Sequence, residues 1–131
     1  MPEGHTLHRL AREHQRVFGG GIVRASSPQG RFTDGAARID GQSLVRTEAH
    51  GKHLLHHYGN EAILHIHLGL YGKFTAGKGE PPEPRGALRL RLSTEYAWTD
   101  LRGPTACELL TPEQVDALAA RLGPDPLRGD A

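Results

Sequence analysis

Two-thirds of the way along the chain, Ala87-Leu88-Arg89-Leu90-Arg91-Leu92-Ser93 alternates leucine with a polar residue without a break. A period of two belongs to the β-strand, whose successive side chains point to opposite faces; a helix needs its apolar residues three or four apart. The leucines therefore face a core and the arginines face away from it. Further candidate strands occupy residues 22–26, 43–48, 52–58, 62–68, 95–99 and 106–109. Gly59-Asn60 between the third and fourth reads as a hairpin turn. Residues 75–86, rich in Gly, Pro, Lys and Glu, read as a mobile loop.

Helical periodicity appears only at the two ends. After Gly4, Leu7, Leu10, Ala11, Val17 and Phe18 recur at helical spacing, with Arg9, Arg12, Glu13, Gln15 and Arg16 largely opposite, until Gly19-Gly20-Gly21 stops the pattern. Near the other end Thr111 is placed to cap a helix, Pro112 suits its first position, and Gln114 completes a capping box. Val115, Leu118, Ala119 and Leu122 form its apolar face, and Gly123-Pro124 ends it. The expected class is α+β, mainly β with flanking helices: a two-layer β-sandwich or flattened barrel, one helix near each end. Residues 1–122 read as one domain and 123–131 as the start of a linker.

A chain of 131 residues can bury a core of its own. Its single Cys107 excludes a disulfide framework and any site built from several thiolates, which points to an intracellular protein. No apolar run reaches membrane-spanning length, so no membrane partner is expected. The net charge of +1 is too balanced to announce nucleic-acid binding by itself.

Four short stretches carry chemistry. The first is Met1-Pro2-Glu3-Gly4. With Met1 removed, the Pro2 nitrogen becomes a secondary amine. An α-amino group titrates at about 7.7–8.0 against about 10.4 for lysine, so far more of it is free to attack a carbon at neutral pH. A secondary amine bonded to a sugar C1′ gives a charged iminium, an electron sink, with Glu3 as the nearest proton carrier. The second is Gly51-Lys52 entering a strand, either a phosphate contact or a solvated surface lysine. The third is His67-Leu68-Gly69-Leu70-Tyr71-Gly72: an apolar pair on a glycine-flanked tip can wedge into a base stack, or pack in the core of an ordinary hairpin. The fourth is Thr99-Asp100-Leu101-Arg102, whose Arg102 on a Gly/Pro-rich turn either bonds an orphaned base or phosphate, braced by Asp100, or forms a surface ion pair. A separate possibility is a histidine metal site drawn from His53, His57, His65 and His67, against which stand the lack of carboxylate or thiolate ligands at suitable spacing and the habit of strand histidines to pack.

In this order, together with the closing Leu122-Gly123-Pro124-Asp125-Pro126-Leu127, these stretches resemble the amino-terminal catalytic domain of the formamidopyrimidine-DNA glycosylase/endonuclease VIII family, its actinobacterial members above all. The resemblance implies a base-excision-repair DNA glycosylase with AP-lyase activity. Pro2 matches the nucleophile, Glu3 the acid that assists sugar-ring opening, and Lys52 the lysine on the lesion's backbone. Leu70, Tyr71 and Arg102 match the residues that fill the space of a flipped nucleotide and meet the estranged base. The alternative is a non-catalytic module, derived from that domain, that docks on DNA or a repair partner. The implied partner is damaged double-stranded DNA, at the nucleoid of a bacterial cytoplasm. No metal or cofactor is expected in this chain, because the family's helix–two-turn–helix and zinc-finger domains would lie beyond Ala131. Leu70-Tyr71 looks like the endonuclease VIII branch and Arg102 like the formamidopyrimidine branch, while Pro104 stands where the latter carries a phenylalanine. Lesion preference is therefore open. His5-Thr6 also depart from the acidic residue that the family usually carries there.

Overall fold

The computed structural model describes residues 3–50 and 52–122, with Glu3–Thr6 and Leu122 described through their backbone only. Three helices and eight strands follow in the order α1 (Glu3–Phe18), β1 (Ile22–Ser26), α2 (Thr33–Ile39), β2 (Gln42–His50), β3 (His53–Tyr58), β4 (Ile63–His67), β5 (Lys73–Lys78), β6 (Leu88–Ser93), β7 (Ala97–Arg102), β8 (Ala106–Leu110) and α3 (Pro112–Leu122). All strand pairs are antiparallel, in the order β5-β7-β6-β1-β2-β3-β4-β8. The middle of that ladder is thin. β1 meets β2 through only Ile22↔Ser43 and Val23↔Gln42, whereas its later residues, Arg24 to Ser26, pair with β6. A strand that changes partners in this way turns the corner between two sheets, β2-β3-β4-β8 and β1-β6-β7-β5.

The core lies between those sheets. Leu44, Leu54, Leu64 and Ile66 from one meet Val23, Leu90, Leu92 and Leu101 from the other, all at most 1 % exposed. The alternation of 88–93 explains half of this. Its leucines enter the core, but the opposite face is not left to water: Arg91 is buried in a two-pronged ion pair with Asp100. α1 adds Leu7, Ala11 and Phe18 to the same cluster. On the outer face of the first sheet, α3 seats Leu118 on Leu55 and Ile63. Its expected cap forms in full: Thr111 N–H donates to Gln114 Oε1 at 2.8 Å, and Gln114 N–H to Thr111 Oγ1 at 3.2 Å.

Three expectations change. A helix, α2, stands between β1 and β2, short enough that two buried side chains, Ala36 and Ile39, anchor it. β5 runs from Lys73 to Lys78, so residues 75–78 of the loop expected at 75–86 are strand, because β7 supplies hydrogen-bonding partners to a segment whose own composition is poor for a strand. β7 begins at Ala97 and runs to Arg102, two residues later at its start and three later at its end than expected. The linker expected at 123–131 lies outside the described residues.

Candidate nucleic-acid interface

The strand register collects the candidate residues at one end of the sandwich. His50, His53, His67 and Ala106 stand in one row across β2, β3, β4 and β8. From that row leave the turn that carries Lys52, the segment 68–72 that carries Leu70 and Tyr71, and the turn 103–105 that follows Arg102. The second sheet closes the same end, since Lys73, immediately after the 68–72 segment, pairs with Arg102.

The segment and the turn are fastened together. Thr105 N–H donates to the His67 carbonyl at 2.8 Å, and Gly72 N–H to the Leu68 carbonyl at 2.9 Å. Gly103 has φ +68°, and a Cβ placed on it would come within 2.7 Å of the Tyr71 carbonyl oxygen. Glycine is thus required there twice over, for its backbone region and for the close approach. On this braced tip Leu70 is 80 % exposed and Tyr71 85 %. The reading in which the pair packs in a hairpin core is overturned. Two large apolar side chains displayed beside one another are an incomplete surface awaiting a partner.

Arg102 is the last residue of β7 rather than part of a loose turn. It donates Nε–H and Nη2–H to the Arg85 carbonyl at 3.3 and 3.0 Å, while its Nη1 stands 4.0 Å from Asp100 Oδ2. Asp100 is committed elsewhere: its two oxygens accept from Arg91 Nε and Nη2 at 2.8 and 2.9 Å, and that bond holds the Arg91 guanidinium even further above its usual range. The brace expected between Asp100 and Arg102 is therefore a relay through a buried carboxylate whose principal partner, Arg91, is not marked by any motif in the sequence.

α1 runs antiparallel to β2. Gly19 bridges to Leu44, Gln15 Oε1 accepts from Thr47 N–H at 2.9 Å, and Thr47 Oγ1 donates to the Ala11 carbonyl. Pro2 lies outside the described residues, and so does the side chain of Glu3.

The four histidines considered for a metal site, His53, His57, His65 and His67, lie on the outer face of the first sheet, whereas His56 points the other way and bonds His14 of α1. Glu108 Oε2 accepts from His65 Nδ1–H at 2.8 Å, His65 Nε2 and His53 Nδ1 share a hydrogen bond of 2.7 Å, and His53 stacks on His67 with ring centroids 4.3 Å apart. Burial, reinforced by His67, His65 and Arg121, pulls His53 down to about 4. His57 donates Nε2–H to Glu48 at 2.9 Å, which with the charge of Arg46 outweighs burial and lowers Glu48 to about 2. Nitrogens that a metal would need are thus spent on one another and on carboxylates. No group of three or more His, Cys, Asp or Glu among the described residues could hold a metal ion.

A cleft of about 480 Å³ opens between α1 and the β5–β7 pair, lined by His14, Phe74, Lys78, Tyr96 and Trp98 among others. It runs toward the far end of the sandwich from Leu70 and Arg102. A duplex is met by a surface rather than swallowed by a cavity, which makes the exposed tip, and not this cleft, the candidate for such a contact. Among the described residues no helix is long and apolar enough to cross a membrane.

Comparison with known proteins agrees with this geometry. Residues 1–107 match the model of the formamidopyrimidine-DNA glycosylase N-terminal domain. The chain is 56 % identical over 135 residues to Endonuclease 8 1 of Mycobacterium tuberculosis, a match covering 100 % of this chain and 50 % of that protein. It is 33 % identical over 133 residues to Endonuclease 8 of Escherichia coli O1:K1, covering 97 % and 50 %. The chain therefore spans about half the length of these relatives. Among solved structures, MutM in complex with carbocyclic 8-oxo-G containing DNA superposes with a TM-score of 0.72 at 17 % identity, over 88 % of this chain and 47 % of that one. Lactococcus lactis formamidopyrimidine-DNA glycosylase bound to DNA containing an AP site gives a TM-score of 0.72 at 18 % identity, over 92 % and 48 %. At that identity the likeness is one of fold.

Proposed function

The chain belongs to the family of formamidopyrimidine-DNA glycosylase N-terminal domains, and from that premise we propose that it supplies the catalytic half of a base-excision DNA glycosylase with AP-lyase activity. The observation that carries the reading is that the Lys52 turn, the exposed Leu70-Tyr71 tip and Arg102 all adjoin one end of the strand ladder.

In this mechanism Leu70 and Tyr71 enter the base stack and occupy the space left when the damaged nucleotide swings out, at a cost of a few kcal/mol that damage lowers. Lys52 neutralises a phosphate of the displaced nucleotide. The free Pro2 nitrogen attacks C1′. The C1′–base bond breaks, and the base leaves with the bonding pair and takes up a proton. Glu3 protonates the ring oxygen, the C1′–O4′ bond breaks with its electrons going to that oxygen, and the proline nitrogen, having lost its own proton, forms an iminium with C1′, which acidifies the C2′ proton. Loss of that proton expels the 3′ phosphate, and a second elimination expels the 5′ phosphate. The chemistry is carried by an amine, an acid and an ammonium of the chain and uses no metal or cofactor. Its place of work is the bacterial nucleoid.

Borohydride trapping on an abasic-site duplex tests the mechanism. Protein whose intact mass shows Met1 removed is expected to give a covalent adduct, and both Met1-retaining protein and Pro2→Gly are expected to trap far less. Equal trapping by all three, or no adduct from the demethionylated protein, refutes the assignment of Pro2. Damage-selective binding without trapping would leave the non-catalytic module as the correct description.

A further inference from the structure

We propose that Arg91, Asp100 and the Arg85 carbonyl form a seat that aims Arg102 and so sets which base opposite the lesion is accepted; the inference rests on the role assigned above to Arg102.

The seat has three walls. Asp100 is 1 % exposed, and its carboxylate is fixed in rotation by the Arg91 fork at 2.8 and 2.9 Å. Arg102 Nη1 faces one of those oxygens from 4.0 Å, beyond hydrogen-bond reach but close enough for the charges to attract. The other edge of the guanidinium, Nε and Nη2, converges on a single carbonyl oxygen, that of Arg85. Strand register makes the arrangement rigid beneath and adjustable above. Arg91 and Asp100 are direct partners on β6 and β7, whereas Arg85 belongs to the Gly/Pro-rich connection between β5 and β6.

Arg91 acts here by competition. A carboxylate offered one fork of donors and one more distant guanidinium binds the fork, and Arg102 stays at the surface, its side chain 34 % exposed. Without the Arg91 fork, the buried Asp100 carboxylate is left to Arg102 and draws it inward, where it cannot meet a base. The Arg85 carbonyl plays the complementary part. It is a backbone acceptor that occupies the Nε–Nη2 edge, and a base acceptor that meets Arg102 takes its place. An edge held for acceptors favours bases that present adjacent acceptors and penalises those that present an amino group there. Arg91 and Asp100 are thus positioning residues. They touch no DNA, and their effect reaches the base through Arg102.

The test measures binding of the protein to four duplexes. Each carries a tetrahydrofuran abasic analogue opposite C, G, A or T, and fluorescence anisotropy is the readout. The quantity compared is the ratio between best- and worst-bound duplex, which cancels the folded fraction and non-specific affinity. Wild type is expected to spread the four by about tenfold, the effect of one good arginine–base contact. Arg102→Ala should compress the spread to within twofold. Arg91→Lys, which keeps the charge but loses the fork, should compress it at least threefold, and Asp100→Asn should change the order of preference. If Arg102→Ala compresses the spread while Arg91→Lys and Asp100→Asn leave it as in wild type, the seat is refuted and the role of Arg102 stands. If Arg102→Ala changes nothing, or wild type shows no spread, the role of Arg102 itself fails.

Discussion

Gly103 offers a sharp test of whether the Leu70-Tyr71 tip is held by its neighbours or merely sits near them. Its φ of +68° is a region that costs an L-residue about 1–2 kcal/mol. A methyl group there also comes within 2.7 Å of the Tyr71 carbonyl oxygen, some tenths of an ångström inside ordinary contact. Because that oxygen is backbone, it cannot rotate away, and the tip must shift with it. Gly79 is the matched control: φ is +77°, and an added Cβ meets nothing within 4 Å. Alanine at either site recovers about 0.4–1 kcal/mol by restricting the unfolded chain. Gly79→Ala should therefore cost about 0–1.5 kcal/mol, and Gly103→Ala about 1–3 kcal/mol once the contact is added to the strain. With an unfolding entropy near 2.1 cal/mol/K per residue, each kcal/mol lowers the Tm of a chain this size by about 3–4 °C. Calorimetric melts should place Gly103→Ala about 4–10 °C below wild type and Gly79→Ala within about 5 °C of it. Anisotropy with an abasic-site duplex should show weakened binding in Gly103→Ala alone. Equal melting shifts for the two variants, or undiminished binding by Gly103→Ala, would show that the tip does not depend on this contact.

Two further outcomes follow from the burial pattern. Leu70→Ala and Tyr71→Ala, at 80 % and 85 % exposed positions, should change stability by no more than about 0.5 kcal/mol yet lower the preference for damaged over intact duplex; a large Tm loss would mean that the pair packs in the folded chain after all. His14 is held down to about 4, chiefly by burial and against the pull of Glu13, so the folded state keeps it neutral where the unfolded chain, titrating near 6.5, takes up a proton. Its contribution is complete above about pH 6.5 and is lost as the pH falls toward 4, on the order of 3 kcal/mol in all. Urea midpoints flat from pH 7 to 5, or unchanged in slope by His14→Phe, would contradict this.

What could be read from the sequence, and what could not, divides along a physical line. Local signals carried their elements: the period-two leucines of β6, the capping box of α3, and the glycine brake after α1. β5 is not legible locally because Ala76, Gly77 and Lys78 are poor strand formers, and the strand is completed by β7 lying alongside. α2 was missed because seven residues give too short a window for helical periodicity, and two contacts with the core hold it in place. The candidate site shows the same division. Leu70, Tyr71 and Lys52 sit on turns whose glycines announce them. Arg91, in contrast, reads as one more polar residue on an alternating strand. Only the register that sets it opposite Asp100 reveals it as the partner that leaves Arg102 available at the surface. Chemistry borne by turns is written locally, whereas chemistry borne by pairs of strands is written in the register. A register shift between Leu88 and Leu90, such as the one β6 makes against β7, decides whether an arginine meets a carboxylate or water. Insertion of a single residue between Leu88 and Arg91 would therefore disturb the seat of Arg102 while leaving every candidate residue in the sequence.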